Sequence, residues 1–363
     1  MKFGLVFLPG KLEREIPPKK ECRMEKQICL VPRLTGLGGM VSFQSKFIQG
    51  LQKRGFAVTF DPSDPKNYAI LVIGGWRNLG ALVKARQKGT KIFQRLNGMN
   101  WLHKVQKTPF SEWIYAEIAN HLLAFIRRFV CHEIIYQSDF SKTWWNNKRG
   151  KLKKSNHIIY NGVDLDIYSP AGPETLPTDR FRILLVEGHL TDASAAGLTI
   201  ACQLIANLQE KAPLPVELMI AGDVPLPLQE TIKTKFPNIN PIWLGVLPNN
   251  EIPGVNRSAH LLFSADLNAA CPNSVIEALA CGLPVLSYDT GALSEIVDEA
   301  SGIVVPYGSN HWKLETPDIS ALANAANLIL EKNDKYRQGA RANAIKRFSL
   351  DDMVENYLEV LLK

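Results

Sequence analysis

Short runs of β-branched and other apolar residues alternate with longer helical patterns along the whole chain. Such runs occur at residues 27–32, 56–60, 69–74, 91–96, 133–137 and 157–161, and again at 182–188, 216–222, 241–245, 260–265, 284–288 and 302–306. Strands that alternate with helices in this way usually pair in parallel, because each helix carries the chain back across the sheet. The pattern therefore predicts an α/β fold built on doubly wound parallel sheets.

The chain is long enough for two domains of this kind. Its 363 residues exceed one ordinary core and suit two units of roughly 150 residues each. The stretch LDIYSPAGPETLPTDR, rich in Pro and polar residues, separates the two series of strands. From about residue 317 onward the sequence has helical periodicity, and Ser349 is placed to cap the last helix. We expect an N-terminal extension at 1–26, a first domain at 27–165, a linker at 166–180, a second domain at 181–335 and C-terminal helices at 336–363.

Several features of the composition favour a cytoplasmic protein. No run approaches the roughly 18 to 20 apolar residues of a membrane-spanning helix. The start, MKFGLVFLPG, lacks the charge and cleavage pattern of a signal peptide. The six cysteines have no metal-binding spacing, so we interpret them as reduced thiols.

The charge is distributed very unevenly. Residues 1–160 carry 28 Lys and Arg against 10 Asp and Glu, whereas residues 161–363 carry 14 against 25. Within the basic half, the stretch FSKTWWNNKRGKLKK at 140–154 holds six basic residues, two Trp and no acid. It could be a solvated helix end followed by a loop. It could equally be a surface for anionic lipid headgroups or another polyanion, in which case the protein would sit peripherally on the inner face of a membrane.

One loop has the features of a binding site for a phosphorylated ligand. Ligands of open α/β sheets bind beyond the carboxyl ends of the strands. The loop CPNS at 271–274 lies between an apolar strand and a short helix, so its N–H groups and the helix dipole favour an anion. Glu277 shares a helix face with Asn273 by i, i+4 spacing and can reach a sugar hydroxyl.

The segment NAACPNSVIEALACGLPVLSYDTGALSEIV at 268–297 resembles the donor-binding signature of glycosyltransferase family 4, the group 1 glycosyltransferases of the GT-B fold. HIIYNGVDLDIYSP at 157–170 resembles the stretch near the hinge of that family, and the segment at 36–60 resembles its Gly-rich first loop and helix. RFSLDDMVENYLEVLL at 347–362 resembles the terminal helix that crosses back to the first domain. The resemblance implies two Rossmann-like domains that face each other across a cleft.

The resemblance also implies an activity and a set of donor-binding residues. The expected reaction is transfer of a sugar from a nucleotide-sugar to a hydroxyl, with retention of configuration, no bound metal and no other cofactor. Glu277 would hold the ribose hydroxyls, and the loop would contact donor phosphate or sugar. Gly38 and Gly39 would let the backbone approach the diphosphate, since glycine has no Cβ. The donor-binding residues expected in this way are Glu277, Asn273, Ser274, Pro272, Gly38, Gly39 and Gly188.

The sequence departs from the family pattern at three positions. Ala269 stands where the family has the first of two acids, eight positions before Glu277, and Asp266 is either its substitute or simply solvated. His189 and Ser194 stand where the family has an Arg and a Lys that neutralise the leaving diphosphate. We expect His189 and Arg95 to take the catalytic part of that role.

Arg33 is a second cation of the basic domain that could reach the diphosphate. Asn97 and Gly98, like Arg95, follow an apolar strand and should face the cleft, although Asn-Gly is also an ordinary turn.

Candidates for the acceptor side of the cleft come from the poorly matching stretch at 60–130. They are Asn97, Trp101 and His103, with Trp76 as a further aromatic, although Trp also commonly packs at a domain interface. Asp164 and Asp166 have the spacing of a metal-binding acid pair, but they fall in the stretch resembling the hinge, and we expect no metal there.

The sequence thus predicts a retaining, metal-independent hexosyltransferase that uses a nucleotide-sugar donor and a glycan or lipid-linked acceptor in assembly of a cell-surface glycan or glycolipid. The alternative is a non-catalytic GT-B relative that acts as a binding or scaffolding subunit, which Ala269, His189 and Ser194 favour. Nucleic-acid binding is not expected, because it would rest on the basic charge alone.

Overall fold

Two six-stranded parallel sheets form the framework of the protein in a computed structural model that describes residues 26–36, 38–189 and 195–363. The strands of the first sheet, β1 to β6, are Gln27–Val31, Ala57–Thr59, Asn67–Ile73, Lys91–Leu96, Glu133–Tyr136 and Asn156–Ile158. The strands of the second sheet, β7 to β12, are Phe181–His189, Val216–Asp223, Ile242–Gly245, Leu261–Ser264, Val285–Tyr288 and Gly302–Val305. The α/β fold class with two doubly wound domains is confirmed.

Helices cover both faces of each sheet, which explains why most central strands are apolar on both sides. Those of the first half, α1 to α4, are Gly39–Lys53, Leu79–Gln87, Phe110–Phe125 and Asp139–Arg149. A π-helical turn at Ile126–Val130 continues α3. Those of the second half, α5 to α12, are Ala195–Gln209, Leu226–Lys235, Ile252–Arg257, Asn273–Ala280, Leu293–Ile296, Ile319–Glu331, Asn333–Arg347 and Leu350–Leu361. The end of the chain is thus three helices and not one continuous helix.

The order of the strands fixes where a ligand can bind. In the first sheet the order is β2-β1-β3-β4-β5-β6, and in the second it is β12-β11-β10-β7-β8-β9. The direction of winding reverses between β1 and β3 in one sheet and between β7 and β10 in the other. Loops leave opposite faces of the sheet at such a point, so a crevice opens there. The two crevices face each other.

The last helix packs on the first domain. Val354, Tyr357 and Leu361 of α12 belong to the same buried cluster as Ile28 and Phe47. Gly50 of α1 faces Val354 so closely that a methyl group in its place would overlap the valine. Close packing of α1 against α12 therefore depends on this glycine. As predicted, the Ser349 side chain caps α12 by accepting from the N–H of Asp352.

The chain passes between the domains twice, and the two passages touch. The N–H of Val163 donates to the carbonyl of Phe348 at 2.8 Å, and the N–H of Leu350 donates to the carbonyl of Val163 at 2.9 Å. Gly162 lies against the Leu350 backbone with no space for a side chain. The two connections form one short parallel bridge.

The fold bears on the basic stretch at 140–154 and on the expected absence of membrane-spanning helices. Trp144 and Trp145 of the basic stretch at 140–154 are buried, so this stretch presents charges and no exposed Trp. Among the described residues, no helix has both the length and the apolar content to cross a bilayer.

Candidate active site

A cleft of about 640 Å³ lies between the carboxyl ends of the two sheets. Its walls come from the loops after β1 and β4 on one side, and from the ends of β7 and β8 and the loops after β9 and β10 on the other. Most of the residues singled out in the sequence line it, namely Gly38, Gly39, Arg95, Asn97, Gly188, Pro272, Asn273, Ser274 and Glu277. Residues separated by more than 200 positions in the chain therefore share one site.

Two helix N-termini meet in this cleft. Helix α1 begins after Gly38 and α8 begins after Pro272, and neither has a side-chain hydrogen bond at its N-cap. Gly38 has a φ of 115°, a conformation that favours glycine. The Asn273 side chain donates to the carbonyl of Gly39 at 3.3 Å and so links the two helix starts. Free N–H groups and two positive dipole ends at one place favour a phosphorylated ligand.

Glu277, which lines the cleft, forms an ion pair with the other domain. Its Oε1 lies 2.8 Å from Nζ of Lys46 on α1, and the two side chains are only 12% and 16% exposed. The Lys46 ammonium also lies 5.6 Å from the ring centroid of Tyr168. Burial, followed by the negative charge of Glu277, raises the pKa of the Tyr168 hydroxyl. Lys46 was not predicted from the sequence, because its position about two turns inside an amphipathic helix gives no signal for this role.

Arg95 is a buried cation whose hydrogen-bond partners are neutral. Its side chain is 1% exposed, Nη1 donates to Asn97 Oδ1 at 3.0 Å, and Nη2 donates to Asn161 Oδ1 at 2.7 Å. The guanidinium lies over the ring of Phe43 at 3.8 Å. Burial lowers the pKa of Arg95, although a guanidinium stays charged at neutral pH.

Among the described residues, no carboxylate pairs with Arg95, and its Nε has no hydrogen-bond partner. A buried charge without a counter-charge is costly. An anion in the cleft, whose wall Arg95 helps to form, would supply that counter-charge.

Asn161 connects Arg95 to the loop before α8. Its Nδ2 donates to the carbonyl of Cys271 at 2.9 Å and to Oδ1 of Asn273 at 2.8 Å, while its own Oδ1 accepts from Arg95. Asn161 was missed as a site residue, although it follows an apolar strand in the same way as Asn97. This polar chain fixes the relative position of the two domains at the cleft.

Two acids line the opposite wall near Ala269. Glu187 ends the apolar part of β7, and Asp266 follows β10. Burial, with a further contribution from the negative charge of Asp266, raises the pKa of Glu187 well above its ordinary value. Asp266, considered above as a substitute for the missing acid, therefore has a neighbour that the sequence analysis overlooked. The sequence did contain a signal for Glu187, because it is a single acid at the end of an apolar strand, directly before Gly188.

The other residues considered at the diphosphate are His189, Ser194 and Arg33. His189 is the last residue of β7, and its side chain lies outside what the structure describes. Ser194 lies outside the described residues. Arg33 is exposed, with its guanidinium 5.1 Å from the ring centroid of Phe60, and is absent from the lining of the cleft. Of the two arginines considered, Arg95 is therefore the one that lines the cleft.

The expected acceptor-side residues separate into two groups. Asn97 lines the cleft, but Trp101 and His103 do not. His103 is 8% exposed, and its Nε2 lies 2.7 Å from Glu117 Oε1, so its ring is engaged inside the domain. Trp76 is half-buried and packs against the core of the first domain. Their part in acceptor binding stays a prediction without support from their positions.

Trp101 belongs to an interface between the domains. Its ring lies 5.2 Å from that of Trp312, a residue of the second domain that also contacts Phe140 and Trp144. Nearby, the carboxylate of Glu295 accepts from the N–H groups of Asp139 at 2.9 Å and Phe140 at 2.6 Å, at the start of α4. These contacts hold the domains together beside the cleft.

The acid pair considered for a metal has a local role. Oδ1 of Asp164 accepts from the N–H groups of Asp166 at 3.0 Å and Ile167 at 3.2 Å, which stabilises a turn. Independence of metal stays a prediction.

Comparison with known proteins gives a family for the second half of the chain. Residues 175–347 match the family model described as glycosyl transferases group 1. A similar protein is the alpha-maltose-1-phosphate synthase of Mycolicibacterium smegmatis, 26% identical over 227 residues, which are 57% of this chain and 56% of that protein. The 2-deoxystreptamine N-acetyl-D-glucosaminyltransferase of Streptomyces fradiae is 27% identical over 122 residues, 32% of this chain and 27% of that protein. The match thus spans about half the length of the first relative and less of the second.

Solved structures share the fold over nearly the whole chain. Sucrose-phosphate synthase of Thermosynechococcus elongatus superposes with a TM-score of 0.71 at 15% identity, covering 92% of this chain and 98% of that one. HepE of Anabaena, solved in complex with UDP and glucose, superposes with a TM-score of 0.65 at 17% identity, covering 93% and 99%. The two-domain arrangement is that of the GT-B fold.

Proposed function

Because its second domain places the chain in the group 1 glycosyl transferases, we propose that it transfers a sugar from a nucleotide-sugar donor to a hydroxyl of a cell-surface glycan or glycolipid. The observation that carries this proposal is the convergence of two uncapped helix N-termini, Arg95 and Glu277 on one interdomain cleft. That combination suits a ligand with a diphosphate and a sugar.

Glu277 is proposed to bind the ribose of the donor. A carboxylate accepts hydrogen bonds from two vicinal hydroxyls, and the ion pair with Lys46 holds it toward the cleft at a fixed position. UDP is the first nucleotide to test, since HepE of Anabaena was solved with UDP and with UDP-glucose.

The diphosphate is proposed to lie between the starts of α1 and α8. In the transfer step the bond between the anomeric carbon and the diphosphate oxygen breaks, and negative charge develops on the leaving diphosphate. The acceptor oxygen forms the new bond to the anomeric carbon, and the hydroxyl proton passes to the leaving diphosphate. N–H groups of the two helices and the guanidinium of Arg95 would stabilise that charge. This arrangement would replace the Arg and Lys for which His189 and Ser194 stand.

Retention of configuration and independence of metal are part of the proposal and rest on the family resemblance of residues 268–297. They are tested together. The anomeric configuration of the product is read by NMR at the earliest turnover. Activity that persists with a chelator supports metal independence, and loss of activity that a divalent cation restores contradicts it.

A non-catalytic binding subunit is the second candidate function. Ala269 favours it, because a methyl group cannot hydrogen-bond to the sugar as the family acid does. Such a protein would bind the nucleotide and release no free UDP from UDP-glucose, with or without an acceptor. If the wild type releases UDP from UDP-glucose and a Glu277 variant does not, the protein is not a non-catalytic binding subunit.

The decisive experiment is a calorimetric titration with UDP, GDP, UDP-glucose and inorganic diphosphate. Glu277→Gln is expected to weaken UDP binding by about tenfold or more, since ribose hydrogen bonds are lost. Inorganic diphosphate has no ribose, so its affinity should change little. Glu299→Gln, an exposed acid of the same domain, is the matched control. Equal affinity of wild type and Glu277→Gln for UDP would reject the assigned role, and failure of every nucleotide to bind would reject the donor cleft.

A further inference from the structure

Helix α3 presents an apolar stripe to solvent. Phe110 is 77% exposed, Tyr115 62%, Ile118 57% and Phe129 59%. Together with Ile114 and Phe125 these side chains recur at three-, four- and seven-residue intervals, which places them on one face of α3 and of the π-helical turn that continues it. An exposed apolar face of this extent marks an interaction surface.

The inward side of the same helix carries polar residues as well as Leu122 and Leu123, which pack against the core. Asn120 is the fully buried residue of α3, and it exchanges two hydrogen bonds with the backbone of Asn100 at 2.8 and 2.9 Å. Glu117 is bound by Lys104 at 2.8 Å and by His103 at 2.7 Å. Because these partners fix α3 in place, the outward apolar stripe is held at the surface and does not turn into the core.

The surroundings of the stripe are strongly basic. Residues 77–130 carry ten Lys and Arg, of which Arg95 and Arg127 are buried, against two acids, Glu112 and Glu117. The guanidinium of Arg77 lies 5.5 Å from the ring centroid of Tyr115, and that of Arg128 lies 5.7 Å from the ring centroid of Phe129. Since Lys104 pairs with Glu117, Glu112 is the remaining acid of this segment.

The basic stretch at 140–154 adjoins the far end of the stripe. Arg127 donates to the carbonyl of Gly150 at 3.0 Å, and Lys154 donates to the carbonyl of Arg127 at 3.1 Å. Lys148, Lys151 and Lys153 are exposed there. This stretch adds positive charge to the surface but no exposed apolar residues, because Trp144 and Trp145 are buried. The exposed apolar residues come from α3.

We propose that the exposed face of α3, with its flanking basic residues, binds the surface of an anionic lipid bilayer. Apolar and aromatic side chains with cations beside them are the composition of a helix that lies in the headgroup region. A basic rim matches negatively charged lipid headgroups. The surface lies next to the cleft, because the loop that pairs with Asn120 is the one that carries Asn97. The inference concerns binding to the bilayer and does not depend on the transfer activity.

The test is flotation of the full chain with vesicles of phosphatidylcholine alone or mixed equally with phosphatidylglycerol. The wild type should float with the anionic vesicles and much less with the neutral ones. The variant Ile118→Ser, Phe125→Ser, Phe129→Ser should bind anionic vesicles about tenfold more weakly or worse. The control Leu226→Ser, Ile345→Ser removes two exposed apolar residues from the second domain and should bind like wild type.

A second variant separates charge from apolar contact. Arg77→Gln, Arg128→Gln should reduce the preference for anionic over neutral vesicles while leaving the melting temperature close to that of wild type. All variants are checked by thermal unfolding and by UDP titration, so a folding defect or a lost donor site is recognised separately.

Three results would overturn the inference. Wild type that stays unbound with anionic vesicles rejects it directly, and so does a serine triple variant that binds them as strongly as wild type. The third is a concentration-dependent dimer in sedimentation experiments that the triple variant abolishes while vesicle binding persists. That result would make the stripe a contact between two copies of the chain.

Discussion

Lys46 and Glu277, separated by 231 positions in the chain, form an ion pair of 2.8 Å that joins α1 of the first domain to α8 of the second. Glu277 lines the cleft, and both side chains of the pair are largely shielded from water. It therefore links the position of a carboxylate proposed to bind ribose to the relative position of the domains.

Lys46→Met should destabilise the protein, because it leaves the Glu277 carboxylate shielded and unpaired. Removal of one partner of a largely buried pair costs roughly 1 to 4 kcal/mol. Adding Glu277→Gln to this variant should recover most of the loss, since a neutral amide needs no counter-charge. Denaturant unfolding of the four proteins in a double-mutant cycle measures the coupling. Simple additivity of the two substitutions would contradict the interaction.

Arg95→Gln should lower turnover by about 100-fold or more if Arg95 stabilises the leaving diphosphate. Stability should fall as well, by roughly 1 to 3 kcal/mol, because Asn97 and Asn161 lose their hydrogen-bond donor. Turnover is therefore compared at a temperature at which both proteins are folded. Arg33→Gln, an exposed arginine of the same domain, serves as the control and should keep turnover within about twofold of wild type. Steady-state kinetics and thermal unfolding are measured on the same preparations. Equal turnover in Arg95→Gln and wild type would remove Arg95 from the mechanism.

Glu187 should make stability depend on pH in a defined direction. Burial, and then the charge of Asp266, raises its pKa, so the native state keeps the proton to a higher pH than the unfolded chain does. The native state is therefore favoured most below the ordinary carboxyl pKa, and this advantage is lost as the pH rises through the raised pKa. Glu187→Gln should match wild type at about pH 4 and be more stable than wild type at about pH 8.

The measurement for Glu187 is the melting temperature across this pH range, with Glu299→Gln as an exposed control. A constant difference between wild type and Glu187→Gln at every pH would show that Glu187 does not titrate with a raised pKa.

Gly50→Ala should destabilise the contact between α1 and α12, because the added methyl group overlaps Val354. Overpacking of this kind costs typically about 1 to 3 kcal/mol. Val354→Ala costs stability by itself, yet the double variant should be more stable than the sum of the two losses predicts. Denaturant unfolding checks this, and Gly80→Ala, with open surroundings on α2, is the control for helix propensity. A stabilised Gly50→Ala protein would contradict the close packing.

Much of the fold follows from local sequence patterns. All twelve strands were predicted. The central ones are buried on both faces and read as continuous apolar runs such as 69–74 and 182–188. The short helices α7 and α9 were not identified, since six or four residues are too few for a helical period to appear.

The cleft was predicted in part. Glu277, Asn273 and Gly38 could be found because a helix start and a Gly-rich turn are local features. The pairing of Lys46 with Glu277 could not, since it depends on how two domains face each other. Likewise, nothing local distinguishes the buried Arg95 from an exposed arginine such as Arg33.

The bridge between Val163 and Leu350 has a consequence for how the domains can move. Both covalent connections cross at this one place and are hydrogen-bonded to each other, so neither can stretch independently. Sliding one domain past the other would break the bridge, whereas turning about it leaves both hydrogen bonds intact. A rotation of one domain relative to the other would therefore have its axis at this bridge. Such a rotation displaces each residue in proportion to its distance from the axis.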